Sequence, residues 1–173
     1  MDIGTNNQAI TQLTSQGYNL AVGLLARREH SVTELRSKLC AKLASKQDSQ
    51  HQSLTTAVNT IIEKLLDDGY LSDQRFAEAY ARARCRKGFG ADRIKMELVE
   101  KGIDASLIEI ALAPLEDQWC DHVLSTWQKK FGMPPVDYHQ KAKQQSFLRY
   151  RGYRNQDIDY LFRELDSILQ NQC

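Results

Sequence analysis

Apolar positions along this chain recur at helical spacing, and the whole pattern then recurs at a fixed interval. Val58, Ile61, Ile62 and Leu65 are answered fifty residues later by Ile108, Ala111, Leu112 and Leu115, and fifty later again by Ile158, Leu161, Phe162 and Leu165. The spacing i, i+3, i+4, i+7 puts each quartet on one helix face, and the constant interval predicts three copies of one small helical unit.

The segments ahead of the stripes keep the same register. Leu98-Val99-Glu100-Lys101-Gly102-Ile103 aligns with Leu148-Arg149-Tyr150-Arg151-Gly152-Tyr153. In each, a glycine stands where a helix would end in the left-handed conformation. The first copy's equivalent helix, with Val32, Leu35, Leu39 and Leu43, lies about nine residues early. The polar run Ser45 to Ser53 accounts for the shift and is expected to be a solvated insertion.

Punctuation follows the same plan. Ser31 with Glu34 predicts a capping box opening the second helix of the first unit. Gly69 is expected to close the stripe helix, and Ser72-Asp73 to open a helix reaching about Lys87 with Phe76, Ala79, Tyr80 and Ala83 facing inward. Gly88-Phe89-Gly90 breaks that helix, Asp104 can cap the second stripe helix, and Gly132 to Pro135 breaks the third unit after Val123, Leu124 and Trp127. Of Trp119 and Trp127, one is expected in the core and the other partly exposed. No strand-like alternation is present.

The fold expected is all-α: three tandem three-helix repeats forming an elongated, curved stack. Residues 1–16, polar and uneven, read as a flexible N-terminal tail, with helix beginning near Tyr18. Residues 17–70 form repeat 1, 71–116 repeat 2 and 117–173 repeat 3. A unit of this size buries only a modest core alone, so stacking on neighbours is expected, and a monomer follows because the stack supplies those neighbours.

Cys40, Cys85, Cys120 and Cys173 are scattered without a Cys-x-x-Cys pair, which predicts free thiols in a reducing cytosol. No stretch approaches the roughly eighteen apolar residues of a membrane span. A charged start followed by an apolar run is absent at the N-terminus, so a cytoplasmic location is expected.

Formal charge is only +1, but the charges are sorted along the chain. Between Arg75 and Ile103, eight bases (Arg75, Arg82, Arg84, Arg86, Lys87, Arg93, Lys95 and Lys101) face four acids. Between Lys129 and Arg154, seven bases (Lys129, Lys130, Lys141, Lys143, Arg149, Arg151 and Arg154) face Asp137 alone. Arg75, Arg82 and Arg86 fall within about 40° of one another on a helical wheel and predict a basic ridge. Some bases should be neutralised locally, as Glu97 and Lys101 at i, i+4 are expected to be. A stretch with one acid among seven bases cannot be balanced that way, which points to an anionic partner or an acidic protein surface.

Catalytic signatures are missing. Gly88-Phe89-Gly90-Ala91-Asp92-Arg93-Ile94-Lys95 lacks the Gly-Lys-Ser/Thr ending of a phosphate loop and follows a helix, so it reads as a turn. His30, His51, His122 and His139 lack metal-ligand spacing, and Asp67-Asp68 reads as a solvated helix end. No enzyme activity, cofactor or metal is expected.

Several ordered motifs carry a resemblance. Asp67-Asp68-Gly69-Tyr70-Leu71-Ser72-Asp73-Gln74-Arg75-Phe76-Ala77, Arg84-Cys85-Arg86-Lys87-Gly88-Phe89-Gly90 and Ile94 to Ile103 resemble the central signature of the RecX family of recombinase regulators. Phe147 to Tyr153 is similar to that family's C-terminal signature, and Leu25 to Leu35 to its N-terminal one. The likeness covers about residues 18 to 168. It implies three tandem three-helix repeats and a non-enzymatic regulator that binds the RecA filament on single-stranded DNA. Such a regulator limits filament extension, ATP hydrolysis, strand exchange and coprotease activity, and so modulates recombinational repair and the SOS response.

The filament-contact candidates are Arg75, Arg82, Arg84, Arg86, Lys87, Arg93, Lys95, Lys129, Lys130, Lys141, Lys143, Arg149, Arg151 and Arg154, with weak direct DNA contact a further expectation. A direct DNA-binding helical module and a generic protein-binding scaffold remain the alternatives. Against the first, no unit shows a recognition helix rich in Arg, Asn and Gln at its N-terminus.

Overall fold

The computed structural model describes residues 3–44 and 51–170, and all regular structure among them is helical. The elements are α1 (Ile3–Leu25), α2 (Val32–Leu43), α3 (His51–Asp67), α4 (Asp73–Arg86), α5 (Ala91–Glu100), α6 (Ala105–Leu112), α7 (Trp119–Lys130), α8 (Tyr138–Tyr150) and α9 (Asn155–Gln170). A 3₁₀ turn, Ala113–Gln118, joins α6 to α7, with Pro114 at its start where a missing N–H is harmless. All twelve stripe side chains are buried. The repeated apolar pattern therefore marks the parts of α3, α6 with the 3₁₀ turn after it (Leu115), and α9 that face a core.

By compactness the chain divides into two units. Unit 1 comprises Met1–Phe76 and Lys101–Ile103; unit 2 comprises Ala77–Glu100 and Asp104–Cys173. The repeat bounds 17–70, 71–116 and 117–173 mark a sequence period, which compactness does not test.

In unit 1, Val58, Ile61, Ile62 and Leu65 of α3 pack with Ala21 of α1, Leu35 and Leu39 of α2, and Leu71. The reading of 1–16 as a flexible tail needs correction, because α1 is helical from Ile3. Ile10, Leu13, Gly17, Ala21 and Leu24 share one helix face and are at least half-buried. Polar neighbours mask that stripe in the sequence, and tertiary packing outweighs their weak propensity. Of the expected insertion, 45–50 lies outside the described residues, whereas His51 to Ser53 belong to α3 and Ser53 is buried.

Ser31 caps α2, its hydroxyl accepting from Glu34 N at 3.1 Å and donating to the Lys101 carbonyl at 3.1 Å. Only half of the expected capping box forms, since the Glu34 carboxylate turns to the Arg28 guanidinium instead. A charged donor outbids a backbone amide for it. Asp73 Oδ1 accepts from Val32 N at 2.8 Å. Gly102 has φ 77°, and a Cβ there would overlap the Thr33 hydroxyl, so glycine lets the Lys101-Gly102 turn lie against the start of α2.

Unit 2 repeats this joint with backbone groups. Gly90 N donates to the Arg151 carbonyl at 2.9 Å, and Asp92 N to that of Gly152 at 3.1 Å. A Cβ on Gly90 would overlap the Gly152 carbonyl, and one on Gly152 would overlap Arg93. The Gly88-Phe89-Gly90 turn thus serves close backbone approach, and the N–H groups that a phosphate loop would offer are already engaged. Around it, Ile94, Leu98, Trp119, Val123, Trp127 and Leu148 fill a core with the α6 and α9 stripes.

Both tryptophans are buried, which corrects the expectation that one would be partly exposed. Trp127 can be buried because its indole N–H meets Gln144 Oε1 at 2.7 Å. On α4 the inward face is Phe76, Ala77, Ala81 and Cys85, about one position round from the expected Phe76, Ala79, Tyr80 and Ala83. The rotation brings Tyr80 and Arg84 to a carboxylate, that of Glu97.

Candidate functional site

The fourteen candidate bases divide sharply once their partners are placed. Arg84 and Arg93 close on Glu97, which also accepts from Tyr80 Oη at 3.0 Å. Burial would raise the Glu97 pKa, but donors from Arg84, Arg93 and Tyr80 outweigh it and hold the carboxyl below its ordinary value. The cluster is a satisfied internal network, and its two arginines are committed to it.

Other candidates are also paired. Arg75 meets Glu29 at 3.0 Å and the Tyr70 carbonyl at 3.0 Å, so the expected ridge loses one end to a local acid. Lys95 meets Glu109 at 2.6 Å, Arg154 meets Glu116, and Arg82 lies 3.8 Å from Glu78. Arg149 donates to Asn155 Oδ1 at 3.2 Å. Lys141 lies over the Phe162 ring, and exposed Lys143 sits on α8 beside Met133, Pro134 and Val136.

The remaining five come together. Arg86 and Lys87 at the end of α4, Lys129 and Lys130 at the end of α7, and Arg151 after α8 line one cleft of about 550 Å³ in unit 2. Cys85, Gly88, His122, Ser125, Thr126 and Phe147 complete the lining, which among the described residues contains no acidic side chain. Arg86, Lys87, Lys129 and Lys130 are exposed. Basic residues in a last helical turn complement the helix dipole, a general and modest effect. Two such turns and an arginine from a third element, converging on one cleft, form something larger: a field of one sign over low-dielectric walls.

The walls are built around Arg151. Its guanidinium lies 4.8 Å from the Phe89 ring centre and 5.2 Å from that of Phe147, and it reaches the Lys87 carbonyl at 3.4 Å. Arg84 lies over Phe89 at 3.7 Å and Lys130 over Phe147 at 5.9 Å. Cations and rings therefore alternate: Arg84, Phe89, Arg151, Phe147, Lys130. Each cation is attracted to a ring face, which holds like charges near one another at a separation they would otherwise avoid. The back wall is fixed by Tyr153, whose hydroxyl hydrogen-bonds Thr126 Oγ1 at 2.7 Å and donates to the His122 carbonyl at 3.1 Å. Burial pushes the Tyr153 phenol up to about 12 and the Cys85 thiol up to about 11, so neither supplies a reactive anion.

Sequence reasoning missed Phe89, Phe147 and Tyr153 as parts of the site. Phe89 was legible as an aromatic between two glycines, but its cation contacts depend on Arg84 and Arg151, sixty-seven positions apart in sequence. Among the described residues no group of three His, Cys, Asp or Glu side chains is arranged to hold a metal ion, and no helix is long and apolar enough to cross a membrane.

Comparison with known proteins adds a family. The pattern described as RecX, second three-helix domain, matches residues 72–112, and that described as RecX, third three-helix domain, matches 116–162. The cleft draws residues from both segments. The chain is similar to the regulatory protein RecX of Serratia proteamaculans (strain 568), 37% identical over 158 residues, covering 83% of this chain and 94% of that protein. It is also similar to the regulatory protein RecX of Legionella pneumophila (strain Corby), 38% identical over 154 residues, covering 88% and 97%. In fold it resembles the crystal structure of RecX from Lactobacillus salivarius, with TM-score 0.73 at 24% identity, covering 90% of this chain and 98% of that one.

Proposed function

This chain belongs to the RecX family, and we propose that it regulates RecA by binding the RecA filament on single-stranded DNA and limiting its extension, with lower ATP hydrolysis, strand exchange and coprotease activity as consequences. Regulation of recombinational repair and of the SOS response follows from that action. The observation that carries the reading is the cleft: five cations from two consecutive three-helix segments, without a carboxylate in its lining. A filament of protein on nucleic acid offers the anionic counterpart.

The action is by binding rather than by chemistry. Cys85 and Tyr153 are held protonated, the glycine turn spends its N–H groups on carbonyls, and the arginines nearest a carboxylate are locked to Glu97. A protein of this kind shifts RecA between filament states by its difference in affinity for them, so its effect tracks occupancy.

The test is RecA ATPase and filament extension on single-stranded DNA, titrated from substoichiometric to stoichiometric chain. Inhibition should appear and should weaken in Arg86→Glu/Lys129→Glu at unchanged helical content. Undisturbed extension at full occupancy would end the RecA reading. An intrinsic ATPase or nuclease activity abolished by a point substitution would end the non-enzymatic one.

A further inference from the structure

We propose that the cleft at the ends of α4 and α7 binds the sugar-phosphate backbone of nucleic acid without reading its bases, a mode that deepens the filament reading and rests on it. Charge alone would admit either a nucleic acid or an acidic protein segment. The rings decide between them.

A protein partner anchors through apolar side chains seated in desolvated pockets, and single-stranded bases anchor by stacking on aromatic faces. Here the aromatic faces are taken by the chain's own cations: Phe89 by Arg84 and Arg151, Phe147 by Arg151 and Lys130. A base or an apolar side chain seeking those rings would compete with a guanidinium or an ammonium already placed over them. What stays accessible is positive charge, supplied in four of five cases by exposed side chains at helix ends. Three of the five are lysines, point charges on flexible stems that suit a phosphate rather than the fork geometry that aligns a carboxylate. The ligand that rewards charge with neither stacking nor apolar anchoring is a polyphosphate chain, whose binding is driven by counterion release.

The proposal sets a number. Five phosphate contacts on a single strand give a slope of log K against log salt of about −3.5, so affinity falls roughly a hundredfold between 50 and 200 mM salt. The experiment is fluorescence anisotropy of the full chain with labelled oligo(dT), oligo(dA) and duplex DNA, with polyglutamate as competitor. Lys129→Gln/Lys130→Gln and Arg86→Gln/Lys87→Gln should each reduce the slope magnitude to about 2.1, and the four together to about 0.7. The charge-matched control Lys38→Gln/Lys42→Gln on α2 should leave it unchanged. Affinities for oligo(dT) and oligo(dA) should agree within about threefold.

A tenfold base preference, unchanged slopes in both cleft variants, or displacement of DNA by polyglutamate at equal charge concentration would each overturn the proposal. The same preparation is assayed against RecA. Inhibition with no cleft-dependent DNA binding sinks this inference and leaves the regulator standing; cleft-dependent DNA binding with no effect on RecA does the reverse.

Discussion

In unit 1 the turn Lys101-Gly102 rests on the start of α2; in unit 2, in the same fifty-residue register, the turn Arg151-Gly152 rests on the start of α5. Both turns place a glycine at positive φ and a carbonyl over a helix N-terminus, where orphaned donors need partners. They differ in what supplies the donor and in what surrounds it. Ser31 brings a side-chain hydroxyl, whereas Gly90 brings a backbone N–H and no side chain at all. Close to the first joint, bases meet acids, Arg28 with Glu34 and Arg75 with Glu29. At the second, Arg93 likewise meets Glu97, but on the Arg151 side four further cations line a cleft that among the described residues has no carboxylate in its lining. The repeat dictates the geometry of the joint and leaves its charge open.

Substituting the joints' glycines should separate them most. Gly90→Ala sets a Cβ against the Gly152 carbonyl, a backbone atom that cannot rotate away, and should destabilise unit 2 by about 3 kcal/mol in urea unfolding. Gly102→Ala meets only the Thr33 side chain, which can turn aside, and should cost about 1–2 kcal/mol, chiefly from its positive φ. Equal losses would mean that the two joints are not packed differently.

Ser31→Ala comes next. It removes the α2 cap and strips the Lys101 carbonyl of its donor, so a loss of about 1–2 kcal/mol is expected, with hydrogen exchange rising first in α2. Among substitutions only proline would remove the matching bond in unit 2, because Gly90 N makes it.

Acid should divide the units in a further way. His30 in unit 1 is 3% exposed, and burial, reinforced by Arg28, lowers its pKa. Its protonation is therefore easier unfolded, and unit 1 should lose stability as pH falls below the ordinary histidine value of 6.5. In unit 2 the depressed carboxyl of Glu97 contributes stability above the ordinary 4.5 and surrenders it only as pH falls through its lower folded value. Asp157, raised by burial, favours the folded state slightly over the same fall. Hydrogen exchange at pH 7, 5.5 and 4.5 should show unit 1 loosening first, and simultaneous loosening would remove His30 and Glu97 as the cause.

How much of this the sequence could disclose depends on range. The stripes at Ile61, Leu112 and Phe162 needed only helical periodicity, and the C-caps at Gly102 and Gly152 only their register. The family resemblance rested on contiguous motifs and was equally visible. Local signals failed where a distant partner decides: α1 is held by α2 and α3 despite a polar sequence, and Trp127 is internal with its indole N–H met by Gln144, seventeen positions away. The cleft was half legible. Charge sorting found all five of its cations but ranked them with nine others, since only tertiary contacts distinguish Arg84, locked to Glu97, from Arg86, two residues on and exposed.

The smallest effect expected is the most pointed, because it concerns sign. Arg75→Gln breaks an ion pair with Glu29 and a bond to the Tyr70 carbonyl, and should lower stability by up to about 1 kcal/mol. Lys129→Gln and Lys130→Gln remove cations that repel their neighbours in the cleft, so each should leave stability within about 0.5 kcal/mol of the parent or raise it, more so at low salt than at high. A surface balanced by acids would give the first sign everywhere; a cleft that carries uncompensated charge for a ligand gives the second. Thermal unfolding of both lysine variants at 20 and 500 mM salt reads the sign directly. A loss for both lysine variants that shrinks with salt would place an acid in the cleft and erase the contrast between the two joints.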